Sequence, residues 1–191
     1  MFIDFVTLMM INLVAGTSLL AYYIYWGIEA RDQRPFAAAF GIVGLVGLIL
    51  GIHMAFTWPL PGSYNVAYSE ATTLFGAVFF ATGVALSQGW DLLPVAVYAF
   101  FAGMDAILIG IRIFSLGLTT EPIISSFGFI AAGFAGVTSF PFLKWFKKSK
   151  TVRIIATIIL GLTALLWAIT FYAAMWSHLA TFTNWLPATM K

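Results

Sequence analysis

Six long apolar runs, separated only by short polar interruptions, occupy almost the whole chain, and they limit what it can fold into. A helix that crosses a bilayer needs roughly 20 mostly apolar residues, and breaks in hydropathy mark where each ends. Read this way, the spans run from about Phe2 to Ile28, Pro35 to Trp58, Glu70 to Ser87, Leu93 to Leu118, Pro122 to Phe142 and Thr151 to Trp176. Pro35 at the start of the second is in keeping with a first helical turn, where its missing N–H costs nothing. Hydrophobic residues make up 62% of the 191 and charged residues 8%, too few charges to cover a water-facing surface. The expected fold class is an all-α integral membrane protein, a six-transmembrane-helix bundle forming one domain in the lipid bilayer of the cell membrane.

The basic residues predict an orientation. Arg31 and Arg34 lie in the first connection, and Lys144, Lys147, Lys148, Lys150 and Arg153 lie in or beside the fifth. In a six-span chain these connections share a side, and the positive-inside rule makes that side cytoplasmic. Both termini are then on the outer side. The first apolar run has no basic n-region and, at about 25 residues, exceeds a signal-peptide h-region, so it is expected to be a retained span.

Several chemistries lack their parts. There is no cysteine, which excludes disulfides, thiolate metal sites and cysteine nucleophiles. The net charge of +2 comes from one short basic cluster and not from a nucleic-acid-binding face, so no nucleic acid partner is expected. No nucleophile–base constellation, phosphate loop or nucleotide signature is present, and an enzyme is not expected.

Ionisable groups inside spans are costly and therefore mark candidate sites. His53 falls one to two turns inside the outer end of the second span, Glu70 at the outer start of the third, Asp105 near the middle of the fourth and Arg112 two turns further outward. Asp4 and His178 stand at the outer edge. Each has two readings. Asp105 and Arg112, seven residues apart on one helical face, are either structural charges bridging to neighbouring helices or groups that set the local field. His53 either hydrogen-bonds the following loop or serves as a ligand, and Glu70 either caps the third helix or faces a vestibule. The stretch WPLPGSYN is either a rigid outer hairpin, with Pro59 ending a helix and Pro-Gly turning the chain, or a pore-mouth segment. In the second case Ser63, Tyr64 and Asn65 offer hydrogen bonds there. The rings of Phe75, Phe79, Phe80, Phe127, Phe129 and Phe134 alternate with Gly76, Gly128 and Gly133, which suits close helix packing. The same rings also suit a narrow apolar constriction that rejects ions by withholding solvation.

Two resemblances add to this reading. MFIDFVTLMMINLVAG, GIHMAFTWPLPGSYN and GWDLLPVAVYAFFAG look like an uncharacterised prokaryotic membrane family, domain of unknown function 981, over nearly the whole chain. That family brings no activity with it. More distantly, YNVAYSEATTLFGAVFF and GWDLLPVAVYAFFAG resemble the urea/amide channel family, whose fold is shared with the acetate/succinate uptake family. The second resemblance implies a homo-oligomer, a hexamer with one pore per subunit, and a constriction lined by Phe75, Phe79, Phe80, Phe127 and Phe134. The fifth span here carries phenylalanine and glycine where the channel family is tryptophan-rich, and the acetate family's NPAPLGL motif is absent.

The expected function is a channel or facilitator for a small neutral or weakly acidic solute, such as urea, a short amide or a protonated carboxylic acid. His53, Ser63, Tyr64, Asn65 and Glu70 would form its outer mouth, and histidine titrates where pH gating operates. The alternatives are a membrane electron-transfer protein and an accessory subunit of a larger complex. The first would hold haem b between His53 and His178, or a divalent metal on a mixed set drawn from His53, Glu70, Asp105 and His178.

Overall fold

Within a bilayer each backbone N–H and C=O has to find its partner inside the protein, so an apolar run of span length becomes one helix. A computed structural model, which describes residues 5 to 119 and 121 to 184, contains six such helices and, among the described residues, no strand. They are α1 (Phe5–Tyr22), α2 (Ala37–Thr57), α3 (Ser63–Gln88), α4 (Leu93–Leu116), α5 (Pro122–Lys148) and α6 (Lys150–Thr181). All six are long and apolar enough to cross a membrane. Asp4, and the tail beyond residue 184, lie outside the described residues.

Three bounds differ from those expected. α3 starts at Ser63 instead of near Glu70, because Ser63, Tyr64 and Asn65 enter its first turn once the Pro-Gly reversal is made. α5 runs through Pro141 and past Phe142 to Lys148, since lysines interrupt hydropathy but not helical propensity. α6 likewise continues past Trp176, through Ser177 and His178, to Thr181.

The helices form a ring in chain order. α2 packs closely along α3, α4 along α5 and α1 along α6, and looser contacts of α1 with α2, α3 with α4 and α5 with α6 complete it. Small residues make the close pairs possible. Gly44 lies against the backbone of Phe80, Gly47 against Gly76 and Gly51 against Thr73, while Gly103 lies against Gly133 and Gly136. Without a hydrophobic force between helices in lipid, such backbone-to-backbone approach is a main source of association.

The α1–α6 pair is tied by polar contacts at three levels. Thr7 Oγ1 and His178 Nδ1 share a hydrogen bond of 2.8 Å at one end, and Thr157 Oγ1 donates to the Ala21 carbonyl at 3.3 Å further along. At the other end Arg153 pairs with Glu29 and donates to the Phe146 carbonyl at 3.1 Å, joining α6 to the ends of α1 and α5. α1 finishes there in a π-helical turn, Tyr23–Gly27. The Tyr23 hydroxyl from that turn donates to Gln33 Oε1 at 2.5 Å, and Gln33 Nε2 donates back to the Ile28 carbonyl at 3.2 Å.

The α2–α3 reversal sits at the opposite end. Trp58 takes a left-handed backbone, φ 48°, which costs a non-glycine residue roughly 1–2 kcal/mol. Its N–H still bonds the Met54 carbonyl at 3.0 Å, and Pro59 prevents the helix from continuing. Asn65, fully buried, donates from Nδ2 to the Met54 carbonyl and accepts the Leu60 N–H on Oδ1. Below, this is the hairpin end of the bundle, and the end with Lys144–Lys150 is the basic end.

Candidate functional site

The ring surrounds a partly open cavity of about 810 Å³. It reaches from Tyr68 and Ser125 at the hairpin end to Phe146 and Val152 at the basic end, so it follows the bundle axis through a single chain. Its walls come from different side-chain sizes. α4 contributes Ala99, Ala102 and Ala106, whose short side chains leave the space open, and α3 contributes Phe75 and Phe79, stacked at 4.2 Å between centroids. Trp167 of α6 closes a third side, its indole packed over Gly128.

Among the described residues, no Asp, Glu, Lys, Arg or His lines it. The polar groups that do line it are mostly spoken for as donors. Thr17, Thr82 and Thr170 donate their hydroxyl protons to the carbonyls of Leu13, Val78 and Leu166, at 2.8, 2.8 and 3.0 Å. The Asn12 amide donates to the Val43 carbonyl at 3.0 Å. With those protons committed, the capacity left to these hydroxyls is as acceptors, while Tyr68 and Thr72 bring hydroxyls that also donate. The chamber is therefore apolar, uncharged and supplied with scattered acceptors.

The expected site residues separate into groups. Phe75, Phe79, Phe127 and Phe134 line the chamber, the last two at its α5–α6 edge, where they stay 61% and 56% exposed. Phe80 departs from the expectation. One residue beyond Phe79, it is turned by about 100° around the helix and lies in a separate surface groove with Trp90 and Asp91. Of the expected outer mouth, His53, Ser63 and Glu70 are exposed and Tyr64 is half-buried, while Asn65 is a clamp inside the hairpin; none of the five lines the chamber.

Asp105 and Arg112 form no ion pair with each other or with any other described residue. Arg112 is exposed, its guanidinium 3.4 Å from Ser115 Oγ, and Asp105 Oδ2 is buried without a hydrogen-bond partner. Among the described residues the ion pair is instead Arg153, which is buried, with Glu29, which is half exposed, and the sequence did not single it out. Among the described residues no three His, Asp or Glu side chains gather in a metal-binding group, so His53, Glu70, Asp105 and His178 are not assembled into one.

Tyr68 was also missed. Tyr68, Thr72, Phe75, Phe79 and Thr82 all line the chamber. Their spacing of four, three, four and three is the signature of one helical face. The stripe becomes visible only when α3 is begun at Ser63, because a start near Glu70 leaves Tyr68 in a loop.

A family model described as "Protein of unknown function (DUF981)" matches residues 1–181. No curated protein and no solved structure matches the chain.

Proposed function

Because the chain belongs to the DUF981 family, whose function is unknown, we propose from its own geometry that it is a membrane channel or facilitator for small uncharged solutes. The observation that carries this reading is the uncharged chamber of about 810 Å³ running along the axis of the six-helix ring. An ion entering it would lose its water and find no compensating charge. A short amide or a protonated carboxylic acid keeps N–H or O–H groups that the chamber's acceptors satisfy, whereas a carboxylate brings only acceptors of its own. The solute class is therefore neutral hydrogen-bond donors of low polarity, with acetamide favoured over urea because the wall offers far more apolar surface than polar. With the chamber inside one chain, each copy in a homo-oligomer, a hexamer included, carries its own path. The lysine-rich end is assigned to the cytoplasm by the positive-inside rule, which puts both termini outside.

Stopped-flow light scattering on proteoliposomes tests the reading. Acetamide and urea gradients should relax faster than in protein-free liposomes, acetamide the more so, with no rise in potassium or thiocyanate permeability. Relaxation no faster than in empty liposomes for either solute, or an ionic leak of similar size, would sink the proposal.

A further inference from the structure

Among the three loose seams of the ring, α5–α6 is set apart by exposed side chains in its lining. Only Ser149 separates the two helices in the chain, yet they touch far less closely than α4 and α5 do. The lining continues there onto outward faces. Phe134 and Thr138 of α5 and Ile155 and Ile159 of α6 bound the same cavity, and Phe134, Ile155 and Ile159 are each more than half exposed. The seam is thus an apolar slot open sideways, toward where lipid chains lie. At its foot stand Lys144, Lys147, Lys148 and Lys150, all exposed, with the exposed indole of Trp145 among them. Among the described residues no carboxylate pairs with these lysines, and the carboxylate of Glu29 is held by Arg153.

Four ammonium groups without counter-charges, below an apolar slot that rises from them into the membrane, fit one chemistry: a phosphate carrying acyl chains. We propose that an anionic phospholipid docks at the α5–α6 seam. One acyl chain lies between Phe134 and Thr138 on one side and Ile155 and Ile159 on the other, and the phosphate lies among Lys147, Lys148 and Lys150. Polybasic segments beside a membrane gain substantially per lysine from anionic headgroups, and the slot adds burial of a chain that plain surface attraction lacks. A docked chain also supplies the side wall that protein leaves open, separating the chamber from bulk lipid. This inference stands on the seam alone and does not require that the chamber carry solute.

The test is native mass spectrometry of delipidated full-length protein titrated with phosphatidylglycerol or phosphatidylcholine of equal chain length. Phosphatidylglycerol should bind more tightly. The K147Q/K148Q/K150Q variant should lose about tenfold or more of that affinity while phosphatidylcholine binding stays unchanged, and Ile159→Trp, which fills the slot, should weaken both lipids. Circular dichroism and gel filtration establish that each variant keeps its fold, and the comparison of lipids on the unaltered protein needs no variant. Equal affinity for the two lipids would overturn the proposal, as would a preference that survives the triple substitution. Full displacement of phosphatidylglycerol by inorganic phosphate, or unchanged binding in Ile159→Trp, would also overturn it, since either would leave the slot without an occupant.

Discussion

The carboxamide of Asn65 holds the Leu60 N–H, which the α2–α3 reversal would otherwise leave without a partner, and adds a second hydrogen bond to the Met54 carbonyl, which also accepts the Trp58 N–H. Because the side chain is 0% exposed, water cannot take its place, and Asn65→Ala is expected to cost about 1–3 kcal/mol. That loss should appear as a lower melting temperature in detergent, and Asn65→Asp, which sets a buried carboxylate oxygen against the Met54 carbonyl, should lower it at least as far. Arg153 presents the other buried polar commitment. Its side chain is 7% exposed while that of Glu29 is 51% exposed, so their pair lies between a surface bridge of ~0–1 kcal/mol and a buried one whose breakage costs ~3–5 kcal/mol. Arg153→Ala also strands the Phe146 carbonyl and opens a gap where α1, α5 and α6 meet. It should lower the melting temperature more than Glu29→Gln, which leaves the guanidinium its bond to Phe146. Equal effects would mean that the ion pair, and not the three-helix junction, carries the stability.

Among the elements, the α2–α3 pair depends on how near two backbones can come. A Cβ built on Gly44 would lie 2.1 Å from the Phe80 nitrogen, whereas one on Gly161 meets nothing within 4 Å. Backbone atoms cannot rotate aside, so Gly44→Ala must spread the helices, at about 1–3 kcal/mol, and Gly161→Ala should be neutral or slightly stabilising. Thermal unfolding of the two variants side by side checks this, and a neutral Gly44→Ala would mean that the pair is looser than its glycines suggest. Six helices were legible in the sequence because apolar length alone marks them, and the Pro-Gly reversal because those residues have few other uses. The start of α3 was not, since Ser63, Tyr64 and Asn65 look polar in a hydropathy scan yet enter a helix once Asn65 turns inward. The same limit hid the wall of the chamber. Neighbouring phenylalanines such as Phe79 and Phe80 have equal hydropathy but point about 100° apart, and only the stripe that includes Tyr68 and Thr72 separates them. Arg153 and Glu29 were passed over because each stands at a span end, where single charges are ordinary, and their meeting is set by the way α6 returns to α1.

At the scale of the whole molecule, three close helix pairs joined by looser seams leave a space that no side chain fills. Tight packing elsewhere in the bundle makes that space informative: the same chain that brings Gly47 against Gly76 leaves Ala99, Ala102 and Ala106 of α4 facing about 810 Å³. A larger residue should therefore have opposite effects in the two places. Ala102→Phe inserts a ring into open volume, so it should leave the melting temperature unchanged or raise it, since it buries apolar area without displacing a neighbour. The same ring would stand in the path along the axis and should reduce acetamide relaxation in proteoliposomes severalfold. Loss of flux with the fold intact would tie transport to this chamber. If flux persisted in a stable Ala102→Phe protein, solute would have to cross elsewhere, for instance between copies. Destabilisation by the ring would instead mean that the chamber is narrower in the folded protein than its small residues imply, and that α4 closes against α3 in the resting state.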